Sequence, residues 1–368
     1  MAAIPYFEFR DFPEGVAAEV EHAVLQAVRS KRYILSEQVT AFEQAFATTL
    51  GAAHAIGVGN GYDALVLALK AIGAGPGDEV IVPANTFIAT ANAVVQAGCV
   101  PVLVEPDLQT YNLAAAVAER AITARTKAIM PVHLYGQACE MNALVELAAK
   151  HHLHLIEDFA QAQGATFAGK AVGTFGTVNA TSFYPTKNLG ALGDGGAVVT
   201  NDAAIAAFVH SYHNYGETTK YRNDLVGINS RLDVLQAAVL EVKLKFLTQA
   251  NAERQRQAQF YLQELEGVGN VVLPFTAPGS SHVFHVFNIR SSHRDALKAH
   301  LQEQGIATAI HYPVPVHLQT AYSHLGYKPG DLPIAEELAS TSLSLPLFPG
   351  LRQEEQQLVV KAVKKFFR

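Results

Sequence analysis

A chain of 368 residues, with 27 Lys and Arg set against 33 Asp and Glu for a formal charge of -6, is long enough for a large α/β unit with a smaller appendage. It lacks the basic excess of a protein that grips a polyphosphate backbone. The two cysteines, Cys99 and Cys139, sit in apolar stretches without the spacing of a disulfide framework or a zinc site, so a reducing cytoplasm is expected and no metal is.

In chain order, residues 1–7 lack the cationic flank and apolar run of a signal peptide. From Val80 to Val104 no side chain carries a charge, which imitates a membrane span. Pro83, Asn85, Asn92, Gln96, Gly98 and Pro101 interrupt it, and the segment reads instead as strand, helix, strand in a buried core. Strands are expected at 79–83, 100–104, 128–132, 154–157 and 197–200, with helices at 61–72, 88–97 and 142–151 between them. That is the rhythm of parallel strands joined by crossover helices. Near Asn229 the character changes: residues 230–265 read as one or two long helices. Beyond them come a strand at 283–289 and helices at 294–304 and 354–367. The expected organisation is a large α/β domain over 1–245 and a smaller α+β domain over 246–368. The basic C-terminal residues Lys361, Lys364, Lys365 and Arg368 read as a solvated helix face.

Three sites carry chemistry. Gly57-Val-Gly-Asn-Gly-Tyr-Asp-Ala-Leu65 runs glycines into an apolar helix, whose free N–H groups can receive an anion such as phosphate. It is not the dinucleotide fingerprint, because Tyr62 and Ala64 stand where glycine is required, and a plain turn before a core helix would look the same. In Leu153-His-Leu-Ile-Glu-Asp-Phe-Ala-Gln161 an apolar strand ends on acid, so Asp158 lies where α/β sheets meet ligands, with Gln161 three residues on. Asp158 could pair with a cationic ring nitrogen or simply cap a helix. The nearby His151, His152 and His154 do not make a metal site, since only His152 and His154 share a face.

The third site is Ala180-Thr-Ser-Phe-Tyr-Pro-Thr-Lys-Asn-Leu-Gly-Ala-Leu-Gly-Asp-Gly-Gly196, a lysine directly after a strand and wrapped in a glycine loop. A free lysine with a pKa near 10.4 is neutral in only about one molecule in 2,500 at pH 7. A lysine that works as nucleophile or base must therefore be tuned, and condensation with an aldehyde cofactor does this.

These motifs in this order, followed by Asn229-Ser-Arg-Leu-Asp-Val-Leu-Gln-Ala-Ala238, Ile310-His-Tyr-Pro-Val-Pro-Val-His317 and Ser344-Leu-Pro-Leu-Phe348, resemble the DegT-type nucleotide-sugar aminotransferases. The resemblance covers nearly the whole chain, from Glu43 and Ala47 onward. It implies a pyridoxal 5′-phosphate (PLP) enzyme of fold type I: a three-layer α-β-α, aspartate-aminotransferase-like architecture with a mostly parallel mixed sheet. It also implies that Lys187 carries the cofactor as a Schiff base and shuttles the proton, and that Asp158 keeps the pyridine nitrogen protonated. Gln161 would lie near the ring hydroxyl and Phe87 on the ring face. The N–H groups of Gly61 and Tyr62 and the hydroxyl of Ser182 would receive the phosphate. Relatives often place Ser or Thr at the position of Tyr62, whose ring cannot make that contact, so backbone N–H groups carry more of the phosphate here. Asn229 would reach the phosphate of a neighbouring subunit, giving a homodimer with composite sites.

Within the family, the lysine loop looks like the branch acting at carbon 3 of dTDP-linked 3-oxo-6-deoxyhexoses with L-glutamate as donor and 2-oxoglutarate as by-product, the galacto product preferred over gluco. Tyr184, Tyr215, Lys220, Tyr221, Arg222, His311, Tyr312 and His317 are the expected substrate contacts, and His317 is expected to bind the sugar. Competing readings are transamination at carbon 4 of a UDP- or dTDP-ketosugar and a PLP-binding regulator without turnover.

Overall fold

The computed structural model describes residues 3–368; Met1 and Ala2, the start of the segment read against a signal peptide, lie outside them. Two helices, α1 (Val16–Ser30) and α2 (Glu37–Leu50), precede the alternating part of the chain. That part runs β1 (His54–Val58), α3 (Gly61–Ala71), β2 (Glu79–Pro83), α4 (Ile88–Gln96), β3 (Val100–Val104), α5 (Ala115–Arg120), β4 (Thr126–Ile129), α6 (Met141–Lys150) and β5 (His154–Asp158). A small hairpin, β6 (Thr166–Phe167) and β7 (Lys170–Ala171), leads to β8 (Val178–Ser182), β9 (Gly196–Thr200) and α7 (Ala203–Tyr212). An exposed hairpin, β10 (Glu217–Thr219) and β11 (Arg222–Asn223), precedes the long α8 (Val234–Leu265). The C-terminal part holds β12 (Phe287–Arg290), α9 (Arg294–Glu303), α10 (Pro333–Thr341), β13 (Ser342–Leu345) and α11 (Gln353–Phe366).

Seven strands form one sheet in the order β1-β9-β8-β5-β4-β2-β3. The pairs from β8 to β3 are parallel, while β9 runs antiparallel to both neighbours. Because side chains alternate across a strand, each strand feeds two cores. Ala55, Ile81, Ile129, Leu155, Ala197 and Val199 pack with α2 and α6 on one face. Ile56, Val58, Val80, Val82, Ala128, Ile156 and Val198 pack with α3, α4 and α7 on the other. Helices thus cover both faces, giving the three layers of an α/β fold. The segment from Val80 to Val104 is the expected β2, α4, β3 unit, and among the described residues no helix is long and apolar enough to cross a membrane.

A further core forms where β12 and β13 pair antiparallel, with Phe287, Ile289, Leu343 and Leu345 packed against Ala258, Tyr261 and Leu265 of α8 and Val359 and Val363 of α11. Helix α8 serves both regions, since its Leu240 and Leu247 belong to the first core; residue 245 falls inside it.

Two elements differ from the sequence expectation for a reason that matters to the site. The long helix starts only at Val234, because Ser230 is held extended by its N–H to the His213 carbonyl (2.9 Å) and its hydroxyl to Asp63 (2.6 Å). The strand expected at 283–289 begins only at Phe287. Val283 and Val286 instead donate their N–H groups to the carbonyls of Gly136 (2.9 Å) and Tyr135 (3.2 Å), and Phe284 sits at φ 45°. That irregular stretch turns His285 inward.

Candidate active site

The register of the sheet gathers the first and third motifs at one edge. Val58 at the end of β1 pairs with Gly196, and Gly196 pairs with Ser182 at the end of β8, so three strand ends lie in one row. Asn60 caps α3 by accepting the Asp63 N–H on its side chain (2.8 Å) and the Ala64 N–H on its carbonyl (3.1 Å), which leaves the N–H groups of Gly61 and Tyr62 free for an anion. Glycine is obligatory here for space: a Cβ on Gly61 would lie 2.4 Å from Cβ of Ser182, and one on Gly196 would lie 2.5 Å from the Asn60 carbonyl oxygen.

Asp158 closes β5 and is buried. Thr90, in the first turn of α4, donates its hydroxyl to Oδ2 at 2.9 Å, and Thr86 donates to Thr90 at 2.9 Å; Oδ1 accepts the Ala160 N–H at 3.2 Å. Burial pushes the Asp158 pKa up, and these donors pull against it. Lys187 follows β8 on a turn closed by its own N–H to the Tyr184 carbonyl at 2.8 Å. A Cβ on Gly190 would meet the Pro185 oxygen at 2.2 Å, so the loop after the lysine doubles back too tightly for any other residue. Burial pushes the Lys187 pKa down to about 8, with the opposing pull of Asp158 not enough to restore it. The amine is therefore neutral far more often than that of a free lysine.

Both groups line one cavity of about 470 Å³. Around them the structure places Gly61, Tyr62, Phe87, Gln161, Ser182, Tyr184, His311 and Tyr312. Gln161 is fixed by accepting the Tyr135 N–H on Oε1 (2.7 Å) and donating from Nε2 to the Tyr312 hydroxyl (3.2 Å). Phe87, half exposed at the start of α4, faces Tyr312 with ring centroids 5.4 Å apart. His311 is held neutral, its pKa lowered to about 4 by burial and by Lys187, and its Nδ1 lies 2.8 Å from the Ser344 hydroxyl.

Other expected residues lie elsewhere. Asn229 bridges to Asn214, and Tyr215, Tyr221 and Arg222 belong to the exposed segment around β10 and β11, where Arg222 pairs with Asp224 at 3.2 Å and Lys220 lies over the Tyr221 ring. None of these five expected contacts lines the cavity of its own chain. His317 corrects the sequence reading. Its turn is pinned by the Val316 N–H to the Ala84 carbonyl (2.9 Å), its ring is wholly buried, and Nε2 bonds Glu336 at 3.1 Å, so it packs inside the protein and does not line the cavity. The structure adds Thr86, Thr90, Asp194 and His285 to the wall, which the sequence reading did not single out. The signal for His285 was a polar residue inside the apolar run from Val283 to Phe287; the threonines gave none.

The wall suits a flat heteroaromatic aldehyde with a phosphate arm. It offers free N–H groups at a helix start, a hydroxyl at Ser182, an aromatic face at Phe87, a buried carboxylate and a buried amine. The profile of the DegT/DnrJ/EryC1/StrS aminotransferase family matches residues 15–364. The chain is 46% identical over 363 residues, 99% of each chain, to a protein of Aneurinibacillus thermoaerophilus named dTDP-3-amino-3,6-dideoxy-alpha-D-galactopyranose transaminase. It is also 46% identical over 367 residues, again 99% of each, to a protein of Geobacillus stearothermophilus named pleiotropic regulatory protein. The crystal structure of DesV from S. venezuelae in complex with a ketimine intermediate superposes with a TM-score of 0.98 at 45% identity, covering 100% of this chain and 99% of DesV. The chain belongs to the DegT/DnrJ/EryC1/StrS aminotransferase family, and its cofactor is pyridoxal phosphate.

Proposed function

We propose that this aminotransferase moves an amino group from L-glutamate to carbon 3 of a dTDP-linked 3-oxo-6-deoxyhexose, releasing 2-oxoglutarate and the 3-amino-3,6-dideoxy sugar, with the galacto product preferred over gluco. The observation that carries the reading is the meeting of Lys187 and Asp158 in one cavity, the amine poised near neutrality and the carboxylate buried. Bound pyridoxal phosphate supplies an electron sink for the carbon that loses its proton.

The chain's own groups do the rest. Asp158 would hold a proton at the ring nitrogen of the bound cofactor, Gln161 would meet its ring hydroxyl, and Phe87 would cover one ring face. The N–H groups of Gly61 and Tyr62 and the Ser182 hydroxyl take the phosphate. Lys187 binds the cofactor and, once released, takes and returns a proton at Nζ. Tyr184, His311 and Tyr312, on the same cavity wall, meet the sugar. The loop from Tyr184 to Gly196 and the name borne by the Aneurinibacillus relative support position 3.

The same reading makes the working unit a homodimer. Asn229, Tyr215, Tyr221 and Arg222 lie outside their own cavity, on a segment whose Tyr221 is 88% and Val226 93% exposed, and a second copy's cavity is where they act. Incubation with L-glutamate and dTDP-3-oxo-6-deoxygalactose, its gluco epimer or the 4-oxo isomer, with the product assigned by NMR, tests the proposal. A 3-amino sugar is expected; a product aminated only from a 4-oxo substrate overturns the position. The name of the Geobacillus relative favours a second reading, a PLP-binding regulator, and protein that binds the cofactor but reacts with no amino donor would bring it forward.

A further inference from the structure

Lys187 is followed by Asn188, whose side chain starts a chain of hydrogen bonds with only one consistent direction. The Asn188 Nδ2 donates to Asn251 Oδ1 at 2.7 Å and to the Val283 carbonyl at 3.2 Å. Asn251 in turn donates from its own Nδ2 to the Gln163 carbonyl at 2.9 Å, which fixes its Oδ1 toward Asn188. The Asn188 Oδ1 is left facing His285 Nδ1 at 3.1 Å, and a carboxamide oxygen only accepts. His285 Nδ1 therefore carries the proton.

The imidazole is neutral. Burial, with Lys187, Arg254 and His311 as the titratable and charged groups facing it, holds its pKa well below the usual histidine range, and Lys187 itself faces Asp158. A neutral ring protonated at Nδ1 has a lone pair at Nε2, and no described residue donates to it. The Asn188 bond holds the ring, and the backbone beneath it is held as well. A Cβ on Gly136 would already lie 2.9 Å from the His285 backbone nitrogen, and Val283 and Val286 on either side are tied to residues 135 and 136. The wall of the cavity that Lys187 also lines thus presents an acceptor.

We propose that His285 is a positioning residue for Lys187, its Nε2 accepting an N–H of the free ε-amine so that the amine's lone pair points at the reacting carbon. A primary amine has two N–H bonds and one lone pair, so pinning one N–H restricts where the lone pair points, and misplacement of a proton-transferring group is costly. The ring is too weak a base to hold the proton itself, so it acts through Lys187. The inference rests on the amino-transfer reading above.

The test uses the cofactor-loaded protein and two variants. H285F keeps an aromatic ring without an acceptor. H285Q keeps both the donor toward Asn188 and an acceptor toward the amine. In single turnovers with L-glutamate, H285F is expected to slow conversion of the lysine-linked absorption band about a hundredfold, while H285Q recovers to within about threefold of the parent. The pH midpoint of the single-turnover rate is expected to move in H285F and stay near the parent value in H285Q. Equal rates and midpoints in H285F and the parent overturn the proposal; so does equal damage in both variants, which assigns the ring to packing alone. If H285F does not fold, Asn188→Leu, which frees the tautomer, must reproduce the slowed turnover or the proposal fails. If the parent reacts with no donor, the amino-transfer reading fails instead, and the rate at which added PLP forms the lysine-linked band, which needs the free amine's lone pair, still judges His285: slowed in H285F and recovered in H285Q supports the proposal, equal rates overturn it.

Discussion

The two walls of the cavity are built in opposite ways. One is made of strand ends and a helix start between residues 58 and 196, where sheet register and glycine contacts fix Gly61, Asp158, Ser182 and Lys187. The other is irregular chain: residues 282–286 docked on residues 135–138, and the turn at His311 and Tyr312. The first wall carries the groups proposed to react or to take the phosphate. The second carries His285, His311 and Tyr312, of which His285 is proposed to orient Lys187. Short-range motifs thus place the candidate reactive groups, and long-range packing fixes the tautomer of His285 beside them.

Four substitutions or conditions probe that division. The largest loss is expected on the regular wall: Asp158→Ala should cut the glutamate half-reaction by about a hundredfold to a thousandfold in single-turnover spectra, and a loss under tenfold would contradict the role of its carboxylate. Gly61→Val drives a Cβ into Ser182 and crowds the anion site, so cofactor affinity measured by equilibrium dialysis should fall at least about tenfold, or 1.4 kcal/mol.

The next effect follows from linkage. The folded pKa of Lys187 is depressed to about 8 in cofactor-free protein, so between that value and the ordinary lysine pKa the unfolded chain binds more protons. The lysine's contribution to stability is present in full above the ordinary lysine range and is lost as pH falls through about 8. Thermal melts of the cofactor-free parent and of Lys187→Met should diverge in that window, the parent gaining with rising pH. Curves that stay parallel would mean the lysine is solvated rather than buried.

The smallest effect concerns a residue outside both walls. His317→Ala should cost about 1–2 kcal/mol of stability, by removing a buried ring and its bond to Glu336, which keeps the Gly330 N–H. The Michaelis constant for the sugar should stay unchanged; a rise would restore the sugar-binding role that the sequence suggested.

Most of the regular wall was legible in the sequence because its determinants are local. The strand at residues 79–83 and the helix starts at Gly61, Ile88 and Arg294 fall where apolar period and turn residues place them. His285 was not legible because its role depends on Asn188, Asn251 and Gln163, residues brought together only by the fold. His317 misled for the converse reason: proline-flanked and close to His311 in sequence, it looks like part of one loop, whereas the Val316 bond to Ala84 turns it into packing. Thr90 lies in an apolar helix with no polar pattern around it, and only the parallel register of β5 with its neighbours brings Asp158 to its hydroxyl.

The central claim, that Lys187 carries the cofactor and accepts the amino group's chemistry, is tested most directly by one absorbance experiment. Purified protein with PLP is recorded before and after L-glutamate, and a parallel sample is treated with borohydride, with Lys187→Ala run alongside. The account predicts a yellow band in the parent that glutamate converts to the pyridoxamine form, a borohydride-trapped adduct on Lys187, and neither in the variant. A trapped adduct on another lysine, or a parent band that no amino donor alters, would contradict it.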